Sequence, residues 1–291
     1  MELTGTPFHP QEDLQCGPAA VATVLGAVGF SVGPDALVPE VYTPGLSGSL
    51  QPELLAAIRR RGLLAYELPP TLGALGAELV AGRPVLVLQN LGLDALPAWH
   101  YAVVIGADPS AEQLLLRSGE ERRLETPTGK FMRTWDKADR WAVVVLQPGD
   151  LPVDPQPDRY HRAVMGLETS GRHAEAARAW QAALRIWPDD RVAQFGLGNV
   201  AYARDDLAGA RAAWERYLIL NPDDPPGLNN LAVVLGRLGC QRRALRLARD
   251  ALAGLSPDDA LYPDVLDTTE ALQAMSQGDD PAHCRPPGDG G

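Results

Sequence analysis

Two hydrophobic patterns follow one another along the first half of the chain. Apolar residues run almost without interruption over 19–28, and a stripe at every third or fourth position marks 50–61, so these patterns predict helices over about 17–28 and 50–61. Short apolar runs bounded by turn residues then predict strands at 63–68, 85–88, 99–106, 114–116 and 141–146. Short helices are predicted over 71–81 and 130–137. A leading helix followed by a mostly antiparallel sheet is typical of an α+β fold.

The segment between the first two predicted helices has no such periodicity. Residues 38–49 are rich in Pro, Gly and Ser, which predicts a long loop. Such a loop either borders a cleft or runs over the surface.

The second half of the chain repeats a helical pattern. Pro-Asp-Asp occurs at 188–190, 222–224 and 257–259, so the spacings are 34 and 35 residues. A period of 34 residues is typical of the tetratricopeptide repeat, a helix–turn–helix unit. Small residues such as Gly198 and large ones such as Trp214 recur where paired helices would pack, and we assign them to the core. About three units and a final helix predict an all-α superhelix whose concave face can bind an extended peptide.

Composition predicts where one half ends and the other begins. Three prolines lie within residues 150–158, and beyond them alanine, arginine and leucine dominate. We therefore predict an α+β domain over 1–149, a linker over 150–158, repeats over 159–276 and a disordered tail over 277–291.

Charge and hydropathy limit the partners. The 291 residues carry a net charge of -11 with a pI near 4.9, which argues against nucleic acid or an anionic membrane as the main partner. No apolar run is long enough to predict a membrane span. The first residues lack the pattern of a signal peptide. The compartment stays open: periplasmic or exported if a leader has been removed, and cytoplasmic otherwise.

The cysteines are too few for a disulfide framework. There are three, so they cannot all pair. Cys16 is expected to be a free thiol, and the sequence assigns no role to Cys240 or Cys284. Because no Cys/His cluster has the spacing of metal ligands, we predict no metal and no other cofactor.

Cys16 is the strongest candidate for chemistry. It stands directly before Gly17-Pro18 and the apolar helix, and proline is favoured in the first helical turn because its missing N–H would be unpaired there. The free N–H groups and the dipole at a helix start stabilise an anion, and the thiolate is the nucleophilic form of cysteine. The alternative is a buried structural cysteine, but the Gly-Pro pair and the upstream glutamines favour a nucleophile.

His100 is the best available base for that nucleophile. It opens a predicted strand between Trp99 and Tyr101. A base needs an orienting group on its other ring nitrogen. If the following turn is centred near position 109, position 100 faces position 118, so Ser118 is expected to accept the Nδ1–H and leave Nε2 facing Cys16. Asn90 and Glu120 are the alternative orienters.

An acyl-transfer site also needs hydrogen-bond donors for the oxyanion. The backbone N–H of Cys16 can supply one. Gln11 and Gln15 are candidates for another, and we prefer Gln11 because the side chain of Gln15, adjacent in sequence, should point away from the thiol. We assign Gln15 and Trp99 to substrate binding.

These motifs resemble a known family. The run Pro10-Gln11-Glu12-Asp13-Leu14-Gln15-Cys16-Gly17-Pro18-Ala19-Ala20, together with Trp99-His100-Tyr101-Ala102-Val103-Val104-Ile105-Gly106, is similar to the bacteriocin-processing, double-glycine cysteine peptidases of bacteria. With the repeats, the chain resembles a branch that carries a tetratricopeptide tail.

The resemblance implies a papain-like fold over 1–149 and thiolate attack on a peptide bond. It implies that Gln11 is the oxyanion glutamine, Cys16 the nucleophile and His100 the base. The family usually has an Asp-Pro about 16 residues after the histidine, whereas this chain reads Leu116-Arg117-Ser118-Gly119 and has no acid there.

Two functions follow as hypotheses. The first is a cysteine peptidase that cleaves a peptide or protein substrate. Its repeats would recruit that substrate or a protein partner. The second is a weak or inactive pseudo-peptidase that acts as a binding scaffold. The residues Gln11, Cys16 and His100 favour the first, and the missing acid favours the second. A transpeptidase or amidase would use the same residues.

Overall fold

A computed structural model describes residues 1–10, 16–46, 48–275 and 280–284. Contacts divide the chain into two compact units, Met1–Glu175 and Ala176–Gly291. No described helix is long and apolar enough to cross a membrane.

The first unit is an α+β structure, as the sequence predicts. The helices are α1 (Cys16–Ala27), α2 (Pro34–Val41), α3 (Gln51–Arg60), α4 (Leu72–Val80), α5 (Thr128–Asp136) and α6 (Pro157–Thr169). The strands are β1 (Tyr42–Thr43), β2 (Gly48–Ser49), β3 (Leu64–Glu67), β4 (Val85–Asn90), β5 (Trp99–Asp108), β6 (Gln113–Ser118), β7 (Glu121–Pro127) and β8 (Ala142–Leu146). Six of these strands form one antiparallel sheet in the order β3-β8-β4-β5-β6-β7, and β1 and β2 form a separate hairpin.

The core of this unit lies between α1 and one face of the sheet. Residues of α1 from Gly17 to Leu25 are buried, and they pack in one cluster with Tyr101, Val103 and Ile105 of β5. Because side chains alternate along a strand, His100 belongs to the opposite face. Its strand partner Gln89 donates a hydrogen bond to Thr134 of α5, which packs on that face.

The predicted loop over 38–49 is largely ordered secondary structure. Pro34 begins α2 at a position where proline is favoured, and β1 and β2 follow as a hairpin. The prediction was wrong here because the composition, rich in turn residues, hid two very short elements. Strand β7 was also missed, since its charged, exposed side chains are those of an edge strand and show no alternation.

The proline-rich segment is held against the first unit. Glu78 accepts a hydrogen bond from the N–H of Val153 at 2.7 Å, and the hydroxyl of Tyr66 accepts one from the N–H of Gln156 at 3.2 Å. Arg159 of α6 donates to the carbonyl oxygen of Leu68 at 3.1 Å. The compact units therefore divide after Glu175, beyond the predicted linker at 150–158, because α6 packs on β3.

The second unit is built from paired helices with repeated caps. Asp190, Asp206 and Asp224 each accept a hydrogen bond from the backbone N–H three residues later, which is how an N-cap satisfies the free N–H groups of a helix. The helices are α7 (His173–Ile186), which begins in the first unit, α8 (Arg191–Ala203), α9 (Leu207–Leu220), α10 (Pro225–Arg237), α11 (Gln241–Ala253) and α12 (Tyr262–Ala274).

The predicted pairing of small and large residues is confirmed at Gly198. A Cβ atom there would lie 2.4 Å from Nε1 of Trp214. Only glycine lets α8 approach the indole of α9 so closely.

Residues 280–284 are attached to the start of α11. Cys284 and Cys240 form a disulfide, and residues 282–284 form a short 3₁₀ helix. The sequence prediction placed residues 280–284 in a disordered tail and assigned no partner to either cysteine. Two cysteines 44 residues apart carry no local pattern that would pair them.

Candidate active site

Cys16 begins α1 and is a free thiol. It is half-buried and packs against the core cluster that contains Tyr101. Burial first, and then the negative charges of Cys16 and Glu53, raise the pKa of Tyr101. The hydroxyl of Tyr101 also donates to the carbonyl oxygen of Ser49 at 3.2 Å. These neighbours place the start of α1 at the end of the sheet where β5 begins.

Gly17 allows Ser49 to approach the first turn of α1. A Cβ atom on Gly17 would lie 2.4 Å from Oγ of Ser49 and 2.7 Å from its Cβ. Within the described part of the chain, Ser49 Oγ and Glu53 Oε2 are buried without a hydrogen-bond partner. Sequence reasoning singled out neither residue. Its only hint was that the segment ending at Ser49 could border a cleft.

His100 contacts Ser118, as the hairpin argument predicts. The distance from Nε2 of His100 to Oγ of Ser118 is 2.8 Å. The prediction named Nδ1, so the nitrogen is different: Nε2 bonds to Ser118, and Nδ1 is the nitrogen left for another partner. The predicted register was also wrong, because β5 and β6 pair Val103 with Arg117, so Ser118 reaches His100 as a diagonal neighbour.

Asn90 and Glu120, the alternative orienting residues, do not contact His100 through a hydrogen bond. Oδ1 of Asn90 accepts hydrogen bonds from the N–H groups of Gly92 and Ala98, both at 2.9 Å, and so closes the β4–β5 loop. Glu120 is exposed. Neither is bonded to His100.

Burial lowers the pKa of His100. Ser118 brings no negative charge that would oppose this shift. The imidazole is therefore mostly neutral at neutral pH, and a neutral ring can accept a proton. The same environment disfavours an imidazolium ion paired with a thiolate.

Cys16 and His100 are not hydrogen-bonded to each other in the described part of the chain. Tyr101, not His100, shares the core face with α1. Catalytic hydrogen bonds are often formed only when substrate binds, so this arrangement does not exclude the pair. Gln11 and Gln15, the proposed oxyanion and substrate residues, lie outside the described residues.

Trp99 is exposed at the start of β5, next to His100. The loop before it is apolar and exposed as well, at Leu91, Leu93 and Leu96. An exposed apolar patch beside a candidate base is a surface on which an apolar segment can bind.

Comparison with known proteins gives a match to one family model, a sequence relative and similar solved structures. Residues 162–225 match the tetratricopeptide repeat family model. Protein FlbA of Caulobacter vibrioides is 29% identical over 203 residues, which cover 66% of this chain and 33% of FlbA. The chain thus spans about a third of the length of this relative.

Two solved peptidase structures are similar to part of the chain. A C39-like peptidase from Bacillus anthracis is 19% identical with a TM-score of 0.44, over 50% of this chain and 96% of that one. The peptidase domain of Streptococcus ComA is 17% identical with a TM-score of 0.39, over 52% and 99%. The predicted architecture, an α+β region followed by tetratricopeptide repeats, is confirmed by the sheet, the helices and the repeat match.

Proposed function

We propose that the first unit is a cysteine peptidase and that the repeats recruit its peptide or protein substrate. The observation that carries the proposal is the 2.8 Å contact between His100 and Ser118 at the end of the sheet where Cys16 begins α1. A half-buried neutral imidazole, an orienting hydroxyl and a thiol at a helix start are the parts that nucleophilic catalysis by cysteine requires.

The proposed steps use these residues in order. His100 accepts the proton of the Cys16 thiol while the sulfur attacks the carbonyl carbon of the scissile bond. The backbone N–H of Cys16, with the amide of Gln11, stabilises the oxyanion. His100 then donates the proton to the leaving amine, and water hydrolyses the thioester with His100 again as the base.

The supporting residues have separate roles in this proposal. Ser118 fixes the His100 ring through Nε2 and so leaves Nδ1 as the nitrogen that accepts the thiol proton. Gln15 and Trp99 contact the substrate, and the exposed leucines before Trp99 favour a substrate with apolar side chains near the cleaved bond.

A binding scaffold is the second candidate function. Two observations favour it: Cys16 and His100 share no hydrogen bond in the described part of the chain, and the partner of His100 is a neutral hydroxyl. In this case the site binds a peptide that it does not cleave.

The test is cleavage of a complex peptide mixture by the full chain, read by mass spectrometry of new termini. The matched variants are Cys16→Ser and His100→Ala, with Ser110→Ala as a control in the exposed turn far along β5. A peptidase produces new termini that both site variants lose and the control keeps. Absence of cleavage by the wild-type chain, or equal cleavage by Cys16→Ser, contradicts the proposal. Peptide binding that Cys16→Ser leaves intact would then support the scaffold.

A further inference from the structure

The disulfide between Cys240 and Cys284 has a third donor beside it. His283 precedes Cys284, and one ligand atom from each of Cys240, His283 and Cys284 lies within 4.8 Å of the others. Both cysteines are buried and His283 is exposed. Two sulfurs and an imidazole form a ligand set that zinc prefers.

The contacts that hold this cluster do not depend on the sulfur–sulfur bond. The carboxylate of Asp280 accepts hydrogen bonds from the N–H groups of Arg242 and Arg243, both at 2.9 Å, at the start of α11. Arg211 donates to the carbonyl oxygen of His283 at 2.6 Å, and Arg243 donates to that of Cys284 at 3.1 Å. None of these four bonds involves a sulfur atom.

The two arginines are themselves fixed. Glu215 accepts hydrogen bonds from Arg211 at 2.9 Å and from Arg243 at 2.8 Å, and all three side chains are largely buried.

A backbone carbonyl sets the tautomer of His283. Its Nε2 lies 3.3 Å from the carbonyl oxygen of Leu238. A carbonyl only accepts, so Nε2 carries the hydrogen and Nδ1 carries the lone pair. Metal-bound histidines commonly donate their other N–H to a backbone carbonyl in this way.

We propose that the reduced form of this cluster is a zinc site, with Cys240, Cys284 and Nδ1 of His283 as ligands and a fourth position open to solvent. A dithiol reductant supplies two electrons to the disulfide and becomes a disulfide itself, which leaves two protein thiols. Zn²⁺ then replaces one proton on each thiol. The segment over 280–284 is thus attached to α11 in both redox states, by a covalent bond in one and by a metal ion in the other.

The ligand geometry needs only a small movement. In a tetrahedral site with bonds of about 2.3 Å to sulfur, two sulfurs lie roughly 3.7 Å apart. This sulfur–sulfur distance is shorter than the 4.8 Å within which the three ligand atoms already lie.

The experiment uses the full chain carrying Cys16→Ser, so that the free thiol cannot compete. After reduction by a phosphine, which does not bind zinc strongly, Co²⁺ is added as a spectroscopic probe and then displaced by Zn²⁺ against a chromophoric chelator. We expect one Co²⁺ per chain with thiolate charge-transfer absorption, and loss of that absorption in Cys240→Ser. His283→Gln, a change at an exposed position, should weaken Zn²⁺ binding by about tenfold or more. His9→Gln in the first unit is the matched control and should change nothing.

Four outcomes would overturn the proposed site. One is the absence of thiolate charge transfer in the reduced chain. Another is charge transfer that Cys240→Ser leaves intact. The third is equal Zn²⁺ affinity in His283→Gln and the parent chain, which removes the imidazole from the ligand set. Binding of the same stoichiometry without reductant would also contradict the proposal, because the sulfurs are then bonded to each other.

Discussion

Two cysteines stand at helix starts in this molecule, and their surroundings differ. Cys16 opens α1 as a free, half-buried thiol, whereas Cys240 is the N-cap of α11, is fully buried and is bonded to Cys284. At α11 the carboxylate of Asp280 already accepts the first N–H groups of the helix. A helix start favours an anion at both positions, but at α11 a side chain of the protein supplies that anion. Position at a helix start therefore does not by itself identify a nucleophile.

The histidines near the two cysteines also differ. His100 is half-buried, has no charged partner among the described residues, and precedes Tyr101, which neighbours Cys16. His283 is exposed, and its Nε2 lies 3.3 Å from the carbonyl oxygen of Leu238. A half-buried neutral imidazole suits proton transfer, and an accessible imidazole with a fixed tautomer suits a metal ligand.

The largest expected effect is on His100. If it is the general base for Cys16, His100→Ala should lower turnover by about 10²–10⁴-fold. Ser118→Ala should cost less, because it removes only the group that orients the ring. Steady-state kinetics on a cleaved peptide would measure both. A Ser118→Ala loss equal to that of His100→Ala would contradict a purely orienting role.

Removal of the disulfide should lower the stability of the repeats and leave the reactivity of Cys16 unchanged. The double variant Cys240→Ala with Cys284→Ala should lower the free energy of unfolding of the repeats by about 2–4 kcal/mol, since the unfolded chain regains freedom. Urea unfolding with a metal chelator present would measure this change. The rate of Cys16 alkylation serves as the internal control. An unchanged urea midpoint would show that the disulfide contributes little to stability.

The carboxylate at α11 should contribute less. Asp280→Ala removes the acceptor of two backbone N–H groups, and loss of a cap costs about 0.5–2 kcal/mol. Asp280→Asn keeps one acceptor oxygen and should cost less than Asp280→Ala. Thermal unfolding of both variants would order them. Equal melting temperatures for Asp280→Ala and wild type would mean that solvent satisfies this helix start equally well.

The smallest expected effect comes from restoring a charge beside His100. Ser118→Asp places a carboxylate near Nε2 and should raise the pKa of His100, which burial lowers, because the negative charge favours the imidazolium form. Histidine NMR titration would measure the pKa, and Ser118→Asn is the neutral control. Activity should rise or stay the same. A pKa that moves equally in both variants would mean that charge is not the cause.

The sequence predicts the fold better than it predicts the site. Strong periodicity located α1, α3 and the repeat helices, and the 34-residue period fixed the packing at Gly198 and Trp214. Local patterns could not reveal β7, an edge strand without alternation, or the disulfide across 44 residues.

The contacts of the candidate site were also predictable only where they join segments that are close in sequence. The contact of His100 with Ser118 was predictable because it joins two strands of one hairpin. The register differed because the turn pairs Asp108 with Gln113 and so is centred beyond position 109. Ser49 was not predictable, because it reaches α1 from a hairpin of two-residue strands. Contacts between distant segments are set by packing, which sequence periodicity does not record.

The most direct test of the central claim is the labelling of the native full chain by an electrophilic thiol probe near neutral pH, without reductant. Peptide mapping by mass spectrometry locates the label, and the urea-unfolded chain gives the reference rate for an ordinary cysteine. We expect one label per chain, on Cys16, at a rate above that reference and reduced by His100→Ala. Labelling of Cys16 no faster than in the unfolded chain, or at the same rate in His100→Ala, would contradict a nucleophile activated by His100.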